Sequence, residues 1–281
     1  MREMTVFSHY RPEHTRATLE LLIEYALAAG VTLRLDEYET SKHHLEPRPG
    51  VELDAPVKPD VELCIVLGGD GTILRALRSY ARTSVPVFAI NFGEIGFLAT
   101  VERAEAREGI DYALRGDFEL LRLPAIELEL DGVGWIAIND VAVHRKVGER
   151  VAELAYALDG EEVGSVRCDG LVVATPAGST GYNLANGGPV MAWGVEGFVV
   201  SFIAPHSVSA RALVVAPGDV LSVLNRSREP LEVAIDGRPA GEIPPGDSVQ
   251  ARFVTNCGTL AQLPGTSFYR RLREKFGRLA S

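Results

Sequence analysis

The stretch Leu63-Cys64-Ile65-Val66-Leu67-Gly68-Gly69-Asp70-Gly71-Thr72 joins an apolar run to a helical pattern through a pair of glycines. Residues 61–67 have the length and composition of a buried strand, and Thr72-Ile73-Leu74-Arg75-Ala76-Leu77 has helical spacing. A glycine turn at such a junction aims free backbone N–H groups and the positive end of a helix dipole at one point, which suits a phosphate. An acid in that cradle repels a phosphate unless a cation intervenes. Asp70 therefore reads as a base, or as a ligand for the cation that travels with a nucleotide. That chemistry is phosphoryl transfer, set against the ordinary use of Asp-Gly as a turn.

Outward from this stretch, the amino-terminal part alternates strands with helices. Thr5-Val6-Phe7 predicts a strand, Pro12 opens a helix that Gly30 closes, and Leu19, Leu22, Ile23, Ala26 and Leu27 give that helix one apolar face. Residues 31–35 predict a second strand, and the polar, proline-rich residues 36–60 a loop in which His43-His44 lies at the surface. After the central strand and a helix to about Ala81, residues 85–90 predict another strand. It ends in a second glycine-bearing loop, Asn91-Phe92-Gly93-Glu94-Ile95-Gly96-Phe97, followed by a helix over about 104–114. Alternation of this kind implies a parallel sheet, whose ligands gather beyond the carboxyl ends of the strands.

After Pro124 the pattern changes to alternating runs separated by Asp131-Gly132, Asp159-Gly160 and Asp236-Gly237, each a hairpin signal. Strands are expected at 126–130, 135–138, 141–143, 171–175, 198–204, 220–224, 231–235 and 249–253. Phe268, Leu272, Phe276 and Leu279 recur at helical spacing and predict a closing amphipathic helix packed on the protein. The fold class is thus α/β plus β: an amino-terminal parallel-sheet domain (1–123), a mainly β domain (124–255) and a carboxyl-terminal segment (256–281).

The composition sets bounds. The 281 residues are 46% apolar and 23% charged, as in ordinary globular proteins. A formal charge of −10 argues against a nucleic-acid partner. No run approaches the roughly twenty apolar residues of a membrane span, and the start, Met1-Arg2-Glu3-Met4-Thr5, lacks the apolar stretch of a secretory signal. Cys64, Cys168 and Cys257 are odd in number and far apart, which favours a reducing cytoplasm over a disulfide or metal site.

Two further segments carry chemistry. Arg167 to Pro189 runs from a strand into a long loop of glycines and small hydroxyls (Thr175-Pro176-Ala177-Gly178-Ser179-Thr180-Gly181-Tyr182) with few charges. Such a loop lets backbone approach a ligand closely. Asn139-Asp140 sets an amide beside a carboxylate between two strands, a pairing suited to the vicinal hydroxyls of a sugar.

Taken together, Gly68-Gly69-Asp70-Gly71-Thr72, Asn91 to Leu98, Asn139-Asp140 and Asp169 to Pro189, in that order, resemble the NAD kinases (ATP-NAD or polyphosphate-NAD kinases). Ala204-Pro205-His206-Ser207-Val208-Ser209 adds a weaker match. The resemblance implies an active site between two domains, a last helix that returns to the first domain, and a homodimer or homotetramer. It also implies ATP or polyphosphate as donor, with a divalent metal such as Mg2+. Asp70 would then take the proton from the 2′-hydroxyl of the adenosine ribose of NAD, with Gly71 and Arg75 facing the dinucleotide. Asn139 and Asp140 would bind polar groups of the substrate, Arg150 matches a binding position, and Arg167 and Asp169 would lie near the nicotinamide end or a second subunit's ligand. Thr180, Gly181, Tyr182, Asn183, Leu184 and Ala185 would wrap the nucleoside, and Phe97 would supply an apolar wall.

The chain departs from the family pattern at Asp140, where Glu is usual, at Gly181 and Ala185, where Ala and Ser are usual, and at Arg238, where Gln is usual. Diacylglycerol-kinase-like and phosphofructokinase-like enzymes share the Gly-Gly-Asp-Gly turn but not the Thr175 to Tyr182 loop. A non-catalytic sensor would lack the acid at 70, and a dehydrogenase would carry a Gly-x-Gly-x-x-Gly that is missing here. Asp70→Asn is expected to leave the fold and NAD binding largely intact while turnover falls at least about a hundredfold.

Overall fold

The computed structural model describes residues 2–93 and 96–277. Its backbone forms two compact units, one running to Arg122 and resuming at Gly258, the other Leu123–Cys257.

In the first unit the strands Arg2–Ser8, Val31–Arg34, Val51–Glu52, Leu63–Gly68 and Val87–Asn91 pair in parallel, joined by the end of the long strand Ser248–Gln262. Their spatial order places Arg2–Ser8 beside Leu63–Gly68 at the centre. From Arg2–Ser8 the chain builds outward on one side, and from Leu63–Gly68 on the other. The carboxyl ends of these two strands therefore flank the crevice where the winding reverses, the usual ligand position in open α/β sheets.

The helix Pro12–Ala28 starts on a proline and is followed by Gly30 at φ 69°, the left-handed value that glycine adopts without strain. It buries Leu19, Leu22, Ile23 and Ala26 with Ile110, Ala113 and Leu114 of helix Ala106–Arg115, against Met4, Val6, Ile65, Leu67 and Phe88 of the sheet. The helix Asp70–Ser79 buries Ile73, Leu74, Ala76 and Leu77. The closing helix spans Phe268–Phe276 and buries Phe268 and Leu272; the expected apolar position Leu279 lies outside the described residues.

Residues 36–60 are not the loop their composition suggests. They hold a helix, Glu37–His43, and the short strand Val51–Glu52. Asp36 caps that helix, its side chain accepting the Glu39 backbone N–H at 2.7 Å. His43, expected at the surface, is fully buried, because the strand end and helix around it cover the ring.

The second unit is β throughout apart from two short helical turns, Gly178–Thr180 and Tyr182–Ala185, after strand Gly170–Ala174. Six antiparallel strands run in the order Leu213–Val215, Phe198–Ile203, Gly170–Ala174, Asp140–Arg145, Leu231–Ile235, Arg238–Ile243. A second antiparallel layer contains Glu161–Cys168, Ala152–Leu158, Val220–Asn225 and the start of Ser248–Gln262. Inward residues of both layers, among them Val143, Leu171, Val173, Val200, Val233, Leu154, Leu221 and Val223, form one core. All three Asp-Gly pairs make two-residue hairpin turns with both residues at positive φ (51° and 75°, 48° and 84°, 46° and 74°), the backbone that two-residue turns demand. The strands flanking Asp159-Gly160, Ala152–Leu158 and Glu161–Cys168, are not among those expected from the sequence.

Candidate active site

In the first unit the residues singled out by sequence lie at the turn after Leu63–Gly68. Gly69 lies against the second glycine loop, and a Cβ built on it would stand 3.0 Å from the Gly93 Cα. Only paired glycines allow the two loops to approach so closely. Asp70 is the first residue of its helix, so its carboxylate sits at the positive end of the helix dipole. Its Oδ2 accepts the Phe97 N–H at 2.9 Å and its Oδ1 the Leu98 N–H at 3.0 Å. The acid thus anchors the second loop, with lone pairs remaining on both oxygens.

Phe97 does not stand as an open wall: its ring packs on Phe268 and Phe276, each with centroids 5.9 Å away. Arg271 Nη1 donates to the Phe97 carbonyl at 2.7 Å and also to that of Ala99, tying the closing helix to the same loop. Gly71 is exposed, with open space where a Cβ would lie. Arg75 pairs with Glu39, and its guanidinium lies 4.6 Å from the ring centre of Phe7 and 5.2 Å from that of Tyr38. Glu39 escaped the sequence reading; the Asp36-x-x-Glu39 spacing of a helix start was the available signal.

In the second unit strand register brings three loops to one edge of the six-stranded sheet. Asp140 opposes Ala174, and Ile235 opposes Val141, so Asn139-Asp140, the loop from Thr175 and the Asp236-Gly237-Arg238 turn converge. Asp236 is the organiser the sequence reading missed, having been read only as a turn residue. Its carboxylate accepts the backbone N–H groups of Asn139 at 2.7 Å and of Ile138 and Asp140 at 3.2 Å. Asp140 itself is buried (8% exposed), and its side chain makes no hydrogen bond among the described residues. Burial first, and then the charge of Asp236, push its pKa up to about 7.

The long loop is held by its own hydroxyls. Thr175 Oγ1 donates to the Ile138 carbonyl at 2.6 Å, and Ser179 Oγ donates to that of Pro176 at 2.7 Å. A Cβ on Gly178 would collide with the Asn139 backbone, so glycine is required there. Thr180, Gly181, Tyr182, Leu184 and Ala185 remain at least partly exposed, and Gly181 would bring a Cβ to 3.9 Å from Asp140 Oδ2. Asn183 is different: fully buried, it donates to the carbonyls of Ser179 and Pro189, both at 2.9 Å, and so shapes the loop from within.

Arg150 and Arg167 are exposed and line a hollow of about 360 Å³ with Arg145, Arg226 and Arg228. Asp169 stands next to it, accepting from Arg145 Nε at 2.6 Å; that contact holds its carboxyl below the usual range. His206 N–H donates to the Arg167 carbonyl at 2.8 Å, setting the 204–209 stretch beside this strand. Arg238 is exposed at the start of its strand. Among the described residues no group of three His, Cys, Asp or Glu side chains is placed to hold a metal ion, and no helix is long and apolar enough to cross a membrane. Cys64, Cys168 and Cys257 are buried, and none of them is in a disulfide.

Residues 20–118 match the ATP-NAD kinase N-terminal domain, and residues 138–257 the ATP-NAD kinase C-terminal domain. An NAD kinase of Gemmatimonas aurantiaca is 34% identical over 271 residues, covering 93% of this chain and 91% of that protein. The chain belongs to the NAD kinase family. NAD kinase 2 of Streptomyces coelicolor is 35% identical over 277 residues, covering 95% of this chain and 91% of its own length.

Solved structures agree on the fold. Yeast NADH kinase complexed with NADH superposes with a TM-score of 0.88 at 22% identity, over 100% of this chain and 89% of that one. An NAD kinase from Archaeoglobus fulgidus in complex with ATP gives 0.74 at 25% identity, over 99% and 98%. The amino-terminal α/β unit and the antiparallel β unit of this NAD kinase family member are thus those of its relatives.

Proposed function

We propose that this protein phosphorylates NAD at the 2′-hydroxyl of its adenosine ribose, with ATP as donor and Asp70 as the general base. The observation that carries this reading is an acid on the first turn of a helix, behind a glycine pair, at the crevice where a parallel sheet reverses its winding, in a chain of this family. The ribose proton passes to Asp70, the freed oxygen attacks the terminal phosphorus, and the bond from that phosphorus to the bridging oxygen breaks to release ADP. General-base help of this type contributes about 10²–10⁴-fold, and alignment supplies much of the rest.

The amide bonds from Phe97 and Leu98 fix the carboxylate's direction, so the base is aimed before substrate arrives. Arg75 and Gly71 face the dinucleotide. In the second unit Asn139 and Asp140 take polar groups of the substrate, and Thr180 to Ala185 wrap the nucleoside around a frame held by Asn183. A carboxyl with a pKa near 7 both donates and accepts hydrogen bonds at neutral pH, which suits a pair of ribose hydroxyls. Arg150, Arg167, Asp169 and Arg238 serve the remaining charged and polar ends.

A divalent cation such as Mg2+ commonly keeps its waters and binds through one or two carboxylates plus substrate phosphates. The single acid at the Gly-Gly-Asp-Gly turn fits that need, and the cation would neutralise triphosphate charge. Three buried cysteines outside any disulfide suit a reducing cytoplasm, and a homodimer or homotetramer is the assembly to test by sedimentation. Incubation with NAD, Mg2+ and either ATP or polyphosphate, with NADP as readout, tests the function. No NADP with either donor refutes it.

A further inference from the structure

Beside Arg75 lies a buried polar network that no part of the reaction accounts for. Glu39 is fully buried on the helix Glu37–His43. Its Oε1 pairs with Arg75 Nη2, while its Oε2 accepts from Ser8 Oγ at 2.6 Å and from Lys42 Nζ at 2.8 Å. Ser8 Oγ also lies 2.7 Å from His43 Nε2, and Lys42 Nζ donates to the Ser8 carbonyl at 3.1 Å.

The proton count follows. Ser8 has one hydroxyl hydrogen, and Glu39, faced by two cations, accepts it. His43 must then present Nε2–H to Ser8 Oγ, leaving Nδ1 a bare acceptor. Among the described residues His43 Nδ1 is indeed buried without a hydrogen-bond partner, as is Arg75 Nε. Burial, then the Lys42 ammonium, pull the His43 pKa down, so the ring stays neutral.

Stability does not explain this arrangement. Apolar residues commonly replace a buried ion pair with no loss, or with a gain, and this network leaves two buried polar atoms unsatisfied. Its layout has a direction instead. Glu39 is 0% exposed, Lys42 7%, and Arg75 22%, so the Arg75 side chain is the member of the network that reaches furthest toward solvent. One carboxylate against two cations leaves a surplus positive charge there. Ser8 ends one of the two strands that flank the crevice, and Arg75 rides the helix that starts from the other. Phe7 and Tyr38 hold the faces of the guanidinium, and Glu39 fixes its rotation.

We propose that Glu39 is a positioning residue: clamped by Ser8, Lys42 and the His43 ring, it sets the orientation in which Arg75 receives the phosphate-bearing dinucleotide. This rests on the reading above that Arg75 faces NAD. Glu39 touches no substrate and acts only through Arg75.

The test is a double-mutant cycle on the full chain, read by equilibrium binding of NAD and by KM and kcat for NADP formation. Glu39→Gln is expected to weaken NAD binding about tenfold, the loss of one well-aimed charge-assisted bond, with KM rising and kcat nearly unchanged. Glu39→Asp keeps the charge and recovers part of that loss; it also serves should the Gln variant fold poorly, as its melting curve will show. In an Arg75→Ala background both Glu39 changes should alter NAD affinity by less than about twofold, the ordinary error of additivity. Equal losses from Glu39→Gln with and without Arg75 overturn the proposal, because Glu39 then acts independently. Unchanged affinity in the Glu39 variants beside a weakened Arg75→Ala also overturns it, leaving the role of Arg75 intact. Unchanged affinity in Arg75→Ala overturns that role and the proposal with it.

Discussion

Asp70 and Asp140 are the same residue at the edges of two sheets, yet the fold treats them in opposite ways. Asp70 receives two backbone N–H groups, from Phe97 and Leu98, and sets its charge in the first turn of a helix. At the other edge the backbone N–H groups of residues 138–140 go to Asp236, and Asp140 is left buried with no donor among the described residues. One carboxylate is solvated by the protein; the other faces a like charge in a drier place and rises to about pKa 7. What differs is which acid was assigned the amides. A chain can build a directed base and a dual donor–acceptor from one residue type by allocating backbone N–H groups.

The strongest way to break the contrast is Asp70→Asn. Turnover should fall at least about a hundredfold, as measured by NADP formation at saturating ATP and NAD. The structure adds a stability cost to a fold expected to stay largely intact. An amide has one acceptor oxygen for two N–H groups, so one of the Phe97 and Leu98 donors loses its partner, at a cost of about 1–3 kcal/mol. A lower melting temperature with NAD binding retained is therefore the expected companion. Near-normal turnover in this variant would remove Asp70 from the reaction.

Next in size is Asp236→Ala. Three backbone N–H groups lose their acceptor, and a loss of about 3 kcal/mol on chemical denaturation is expected. With the neighbouring charge gone, the Asp140 pKa should drop, which titration followed by NMR reports. An unmoved Asp140 would show that burial alone sets its value.

Asp140→Asn sharpens the comparison through pH. A carboxyl raised in the folded state from 3.8 to about 7 stabilises the fold relative to the unfolded chain at low pH, and that contribution drains away as pH rises from about 4 through about 7. The wild type should lose roughly 2–4 kcal/mol more than the variant between pH 4 and pH 8. At pH 8 the variant should be the more stable of the two while binding NAD less well. Parallel stability curves would sink this account of Asp140.

The smallest effect is expected at a third acid. Asp169 is paired with Arg145 in a half-exposed setting, where water shares the task of solvating it. Arg145→Met should raise the Asp169 pKa toward the ordinary value, yet leave the melting curve nearly superimposable. A large loss of stability would mean that this pair, too, is part of the fold's internal solvation.

Much of this was written locally. The strand–glycine–helix junction at 61–79, the helix from Pro12 to Gly30, and the three Asp-Gly hairpins follow from sterics within a few residues, because φ near 50° at Asp and 75–84° at Gly is a local demand. Asp70, Asn139, Asp140 and the Thr175 loop were visible for the same reason: the glycines and small polar residues that let backbone crowd a ligand stand beside one another in the chain. What the sequence could not show is who receives whom. Glu39 and His43 looked like surface residues because their polarity predicts exposure, and beside the local Lys42 it is Ser8, 31 positions from Glu39, and Arg75, 36 positions away, that make their burial tolerable. Asp236 read as a turn because its second role belongs to backbone amides 96 to 98 positions back, delivered by strand register. Local sterics are settled by neighbours in sequence; the cost of burying a charge is settled by partners that arrive only when the chain has folded.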